Sequence, residues 1–271
     1  MSSLGERGPE IGEAVVARTS AIVEALSPLD DDGLGAPSRL PDWNRLTIAC
    51  HLRYGAETLT RMTSDVIAGR TASYYPEGRA RERDGTLRQR DGETARDVVA
   101  SLARAGDALH AAWAKLDEHQ WTVVAHEPSD NPDIGSEPLV VLALLRLTEV
   151  EVHGEDLDLG LPDWSGLFVE LALPFRFARL RGRRPDPRAG ALPARATWLF
   201  VASDGPAFRI SVTGEAVESR PAERDEPADV VIDGSGRDLL ALVLGRRCRG
   251  PIGLSGDAPL AEMFPRAFPG P

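Results

Sequence analysis

The stretch "LVVLALLRLTEVEVHGEDLDLG", residues 139–160, starts as a core helix and then sets Glu149 and His153 where more leucine is expected. Residues four or seven apart share one face of an α-helix, so Leu142, Leu145, Glu149 and His153 form a single stripe. Burying an ionised carboxylate without a partner costs roughly several kcal/mol, and a cation is the economical compensation. A helix with an apolar beginning and a titratable end has to pack against other helices and also bring its polar groups to a common site.

Three further segments upstream carry helical spacing. Residues 8–27 place Ile11, Val15, Ile22 and Leu26 on one face; residues 44–68 follow Asn44 as a cap and stop at Gly69; residues 92–118 follow "DGET" and carry Val98, Leu102, Leu109 and Trp113. With the stretch at 139 they make four long amphipathic helices, the pattern of a bundle whose sites are built from facing side chains. The pattern changes after "LGLPDWSGL". A helix over 165–181 leads into the breaker-rich "RGRRPDPRAGALP", then β-like runs "ATWLFVAS", "AFRISVTG" and "ADVVIDG". A helix over "GRDLLALVLGRR", a short strand in "GPIGLSGD" and a last helix in "APLAEMFPRA" complete the half. The predicted class is α+β, with a helix-bundle domain over 1–161 and a smaller α+β domain over 162–271.

The chain of 271 residues, 42% of them hydrophobic, can bury a substantial core. Its net charge of −11 opposes a nucleic-acid partner, which needs concentrated positive charge. No apolar run approaches the about 18 residues of a membrane span, and "MSSLGERGPEIGEAVV" lacks a signal peptide's basic and apolar regions, so neither a membrane nor export is expected and the location is read as cytoplasmic. Cys50 and Cys248 form no CxxC pair, and both are read as reduced thiols.

His51 lies in the second helix on a face shared with Ile48, Gly55, Thr58 and Met62. Two imidazoles and a carboxylate are a ligand set for a catalytic divalent ion, with a fourth position open to water or substrate. Spacing alone favours a plainer arrangement: His51 bonded to a backbone carbonyl, and Glu149 and His153 forming a local pair. Glu151 and Glu155 fall off the stripe and are expected in solvent, as are His110, His119 and His126.

"LPDWNRLTIACHL" (40–52), "SYYPEGRARERDG" (73–85) and "LLRLTEVEVHGEDLDLG" (144–160), in this order, resemble the mycothiol-dependent maleylpyruvate isomerase family, whose N-terminal domain is a DinB-like four-helix bundle. The resemblance spans residues 10–160 and implies a metal, zinc by ligand type, held by His51, Glu149 and His153. Trp43, Arg146, Asp156 and Leu157 fall on flanking motif positions. Asp156, one turn past His153, is expected to orient that imidazole rather than bind the ion. Arg79 matches the arginine of the family's P-E-A-R segment and suits a substrate carboxylate; Arg246, in "LGRRCRG", resembles a C-terminal arginine that reaches the site in isomerases. The cosubstrate implied is mycothiol, a small thiol that coordination to zinc would deprotonate at neutral pH, so no protein nucleophile is needed and Cys248, without a base, is not one. The C-terminal half resembles a sterol-carrier-like fold.

The segment "PEGRARERDG" departs from the family pattern, with Gly78 for alanine and no N-E-E after the arginine. That departure shifts the expected outcome from isomerisation to S-transfer onto a small electrophilic metabolite, in specialised metabolism, with cis-trans isomerisation of maleylpyruvate as the alternative. A non-catalytic protein that binds a metal and a small apolar ligand is the alternative of another class.

Overall fold

In a computed structural model of the protein, residues 4–128, 135–186, 188 and 192–270 are described. The chain divides into two compact units, Met1–Ser165 and Gly166–Pro271. Parts of two loops read from the sequence, 129–134 in "HEPSDNPDIGSEP" and 187 and 189–191 in "RGRRPDPRAGALP", lie outside the described residues.

The first unit is helical. A 3-10 turn, Leu4–Arg7, leads into α1 (Gly8–Leu26), followed by short α2 (Asp31–Gly35), α3 (Arg45–Ile67), α4 (Arg79–Thr86), α5 (Ala95–Trp113), α6 (Glu118–Trp121), strands β1 (Val124–Ala125) and β2 (Glu137–Pro138), and α7 (Leu139–Asp156). Helices α1, α5, α3 and α7 contact one another in a ring, which is the four-helix arrangement the periodicity predicts. Local chemistry sets their ends. Asn44 Oδ1 accepts from Thr47 N–H at 2.7 Å to start α3, and Gly69, at φ 69°, takes the left-handed conformation just past its end. Thr94 and Asp97 form a reciprocal capping box at the start of α5. Ile11, Ile22, Ile48, Met62, Leu102, Leu109, Leu142 and Leu147 are all buried where the helices face one another.

Glu151 and Glu155 are not in solvent. Glu151 is 2% exposed and ion-paired with Arg18 of α1 at 3.1 Å, while its Oε1 accepts from Ser165 N–H. Arg18 also donates to Pro162 O at 2.7 Å and Trp164 Nε1 to Glu151 O at 3.1 Å, so the segment after α7 closes over this face. The Glu155 side chain is largely buried and stands 3.6 Å from Arg39. The stripe rule identified the face correctly; what covers that face depends on α1 and the segment beyond Leu157. The histidines set aside behave as expected, His119 and His126 being exposed and His110 partly so.

The second unit opens with α8 (Gly166–Ala178) and continues through β3 (Arg195–Ala202), β4 (Ala207–Thr213), β5 (Ala216–Ala222), β6 (Val230–Gly234), α9 (Gly236–Val243), β7 (Gly253–Gly256) and α10 (Ala258–Ala267). The sheet order is β5-β4-β3-β6-β7, with β3 and β6 parallel and the other pairs antiparallel. Helix α8 packs on α9, and both touch the sheet, whose β3 puts Trp198 and Phe200 into a cluster with Phe177, Phe208 and Phe264. The chain is therefore α+β, a helical half followed by a sheet half.

Candidate metal centre

Two hydrogen bonds to backbone carbonyls bring the site together at the C-terminal end of α7. Arg39 N–H donates to Asp156 O at 2.8 Å and Arg45 Nε to Leu157 O at 3.0 Å, satisfying carbonyls that the helix end leaves open. Those bonds dock the loop before α3 on α7 and put Trp43 against both imidazoles. Its ring stacks on His153 with centroids 5.9 Å apart and meets His51 edge-on at 5.5 Å. On the other side, Ala72 N–H donates to His126 O, and buried Glu127 accepts from Tyr74 N–H at 3.1 Å, pinning the tyrosine segment.

His51 and His153 come from facing helices, with ring centroids 5.1 Å apart at 86°. His51 is 7% exposed, and its Nε2 stands 3.5 Å from Glu149 Oε1. His153 Nδ1 is 3.0 Å from Asp156 Oδ2, which fixes the ring and leaves Nε2 as its other nitrogen. The plainer arrangement is absent among the described residues: no backbone carbonyl accepts from His51, whose Nδ1 is buried without a partner, and His153 pairs with Asp156 rather than Glu149.

Protonation suits the same groups to metal binding. Burial pushes His51 down to about 4; Glu149 opposes that shift, and His153, Arg146 and Arg83 add to it. The imidazole is therefore neutral at pH 7 and keeps a lone pair to donate. Burial works against the charge of Glu149, but His51, Arg146 and His153 outweigh it and hold the carboxyl below its ordinary range. With His51 neutral, Arg146 is the partner that keeps Glu149 ionised; its Nη1 donates to Glu149 Oε2 at 3.1 Å.

Two imidazoles and one carboxylate match the donor chemistry of zinc, and donors at ~2.1 Å from a tetrahedral ion stand ~3.4 Å apart, close to the His51–Glu149 separation. As the side chains stand, no group of three His, Cys, Asp or Glu among the described residues forms a ready-made cage. The donors fit a divalent ion in kind and in one pair distance, and His51 and Glu149 fit it in protonation state as well.

The arginines divide differently from the sequence expectation. Arg79 is exposed at the start of α4 with its guanidinium 5.7 Å over the Tyr75 ring. Arg83, one turn on, is half-buried, donates to Tyr75 Oη at 3.4 Å, and is the one whose charge reaches His51. Sequence reasoning singled out Arg79 by its motif position and passed over Arg83; the i,i+4 relation within α4 was the available signal. Arg246 belongs to the second unit, where its Nη1 donates to Leu244 O at 3.0 Å. Both cysteines are unbridged, and burial raises both thiols, Cys50 to about 11. No described helix is long and apolar enough to cross a membrane.

The family model described as the mycothiol maleylpyruvate isomerase N-terminal domain matches residues 15–158. Over the whole chain, the crystal structure of the mycothiol-dependent maleylpyruvate isomerase aligns with a TM-score of 0.68 at 17% identity, covering 95% of this chain and 98% of that one. A histidine-to-alanine mutant of that isomerase aligns at 0.66 and 18%, with the same coverage. At such identity these structures establish a shared fold. No curated protein sequence matches.

Proposed function

This chain belongs to the mycothiol maleylpyruvate isomerase family through its N-terminal domain, and on that basis we propose that it is a metal-dependent enzyme using mycothiol to isomerise a cis double bond in a small unsaturated carboxylate. The observation that carries the reading is the meeting of His51, Glu149 and His153, from α3 and α7, at the three positions where the family motifs place ligands. Zinc bound there would stabilise the thiolate form of the cosubstrate at neutral pH.

The chain's own residues then have distinct tasks. His51 lends a neutral nitrogen, His153 presents its Nε2, Asp156 holds the His153 ring, and Glu149 supplies one negative charge. Arg83 offers a guanidinium to a substrate carboxylate, since among the described residues it pairs with no carboxylate of the protein. The sulfur comes from the cosubstrate because Cys50 and Cys248 are held as thiols. In balanced form, the thiolate sulfur bonds to one alkene carbon and the electron pair moves onto the conjugated carbonyl. The C–C bond rotates, and expulsion of the same thiolate restores the double bond with nothing gained or lost.

The altered "PEGRARERDG" segment favours S-transfer, but the comparisons support the isomerase: the family model and the full-length fold likeness both carry that name. The two outcomes diverge only at the last step, in whether the thiolate or another group departs. Incubation of the zinc-loaded protein with mycothiol and maleylpyruvate, followed by NMR and mass spectrometry, decides between them. Trans product with mycothiol recovered unchanged supports isomerisation; a stable thioether product means transfer; neither, with metal bound, leaves a binding protein.

A further inference from the structure

We propose that Arg146, Tyr74 and the bare Cα of Gly55 form a buried cradle that orients Glu149 toward the metal, which makes Arg146 the positioning residue of the centre. The inference rests on the metal reading above and extends it to residues that touch neither metal nor substrate.

Glu149 is held with its two oxygens in different roles. Oε2 accepts from Arg146 Nη1 at 3.1 Å, and Oε1 faces His51 Nε2 at 3.5 Å. Arg146 sits one turn before Glu149 on α7 and its side chain is wholly buried. Its Nε and Nη2 have no partner among the described residues. Stability does not account for such an arginine. Arg53, also buried, donates to both oxygens of Glu93, to Ser101 Oγ and to Arg88 O. Arg146 reaches Glu149 alone, and a buried charge satisfied so incompletely is poorer for folding than an apolar side chain of its size.

The opposite wall is Gly55 on α3, one turn after His51 on the same face. A Cβ there would lie 2.8 Å from Arg146 Nη1, 3.0 Å from Glu149 Oε2 and 3.2 Å from Tyr74 Oη. Glycine is unfavourable inside a helix, and here its missing side chain is what lets the carboxylate–guanidinium pair of α7 lie flush on α3. Tyr74 Oη, buried and otherwise unpartnered, closes the third side. The carboxylate is clamped on one oxygen by groups that leave the other free to turn toward His51.

The test uses the full chain loaded with cobalt(II), whose visible absorption reports coordination geometry, comparing wild type with Arg146→Met, Arg146→Lys and Gly55→Ala. We expect Arg146→Met to melt within a few degrees of wild type while binding cobalt at least tenfold more weakly and with an altered visible band. Arg146→Lys should recover part of both, and Gly55→Ala should alter the band by crowding the pair. If Arg146→Met does not fold, the other two variants carry the test. Wild-type affinity and spectrum in the folded variants would overturn the inference, as would a loss of melting temperature with the spectrum intact. A wild type that binds no cobalt would overturn the metal reading itself.

Discussion

Among the described residues of the sheet unit, the fully buried charged side chain is Asp238, and its oxygens accept from Ser235 Oγ at 2.7 Å, Arg249 N–H at 2.7 Å and Gly250 N–H at 3.1 Å. In the helical unit, buried charge is abundant and of two kinds. Arg18 and Arg53 lie in the interior with carboxylate and carbonyl acceptors around them and one Nε each left without a hydrogen bond, whereas Arg146, His51 and Tyr74 bring four polar atoms, unpartnered among the described residues, to one place between α3 and α7. Unpaired buried polarity is costly. Single unpartnered polar atoms occur in both units, Arg176 Nε in the sheet unit among them, but at that one place several gather, which supports the proposed site there and a scaffold role for the pairs elsewhere.

Breaking a scaffold pair should have the largest effect. Arg18→Met leaves Glu151 charged and buried, costing about 3–5 kcal/mol of stability, and the double variant Arg18→Met/Glu151→Leu should recover most of it. Urea denaturation measures both; equal destabilisation of single and double variants would mean the pair is not coupled.

In the sheet unit, Asp238→Ala strands the N–H groups of Arg249 and Gly250, at a cost of about 2–3 kcal/mol at neutral pH. Burial opposes the charge of Asp238, but the Ser235 hydroxyl and those two N–H groups outweigh it and lower its pKa. A carboxyl lowered on folding stabilises fully above its unfolded pKa of about 3.9, and the contribution is lost as pH falls through the lower folded value. The variant's deficit should therefore shrink in acid, and a deficit constant from pH 7 to pH 2 would contradict this.

The smallest effect belongs to the open cluster's support. Asp156→Asn should weaken metal binding by about tenfold to a hundredfold with the fold retained, because His153 loses the carboxylate that orients it. A chelator competition assay reads it, and unchanged affinity would remove Asp156 from the site.

The same contrast explains what the sequence discloses. Long helices and the strands at 196–203, 207–214 and 228–234 announce themselves by periodicity, because one face of each is apolar. Strand β5 escaped because it is an edge strand: "AVESRPA" buries Val217 and Ser219 and otherwise presents Glu218, Arg220 and Pro221 outward. Helix α4 escaped because "RARERDGT" has no apolar stripe. At the site, His51, Glu149 and His153 stood out because polar groups interrupted apolar faces at helical spacing, while the choice of them as ligands, with Asp156 beside them, came from the family resemblance. Arg83, Gly55 and the burial of Glu151 did not stand out, since each depends on a partner from a different helix or on the closing segment after α7.

The most direct test of the centre is the zinc bound per chain after equilibrium dialysis at micromolar free zinc. Wild type should hold close to one ion, and folded His51→Ala and His153→Ala almost none. A folded wild type that holds no ion, or both variants retaining a full complement, would contradict it.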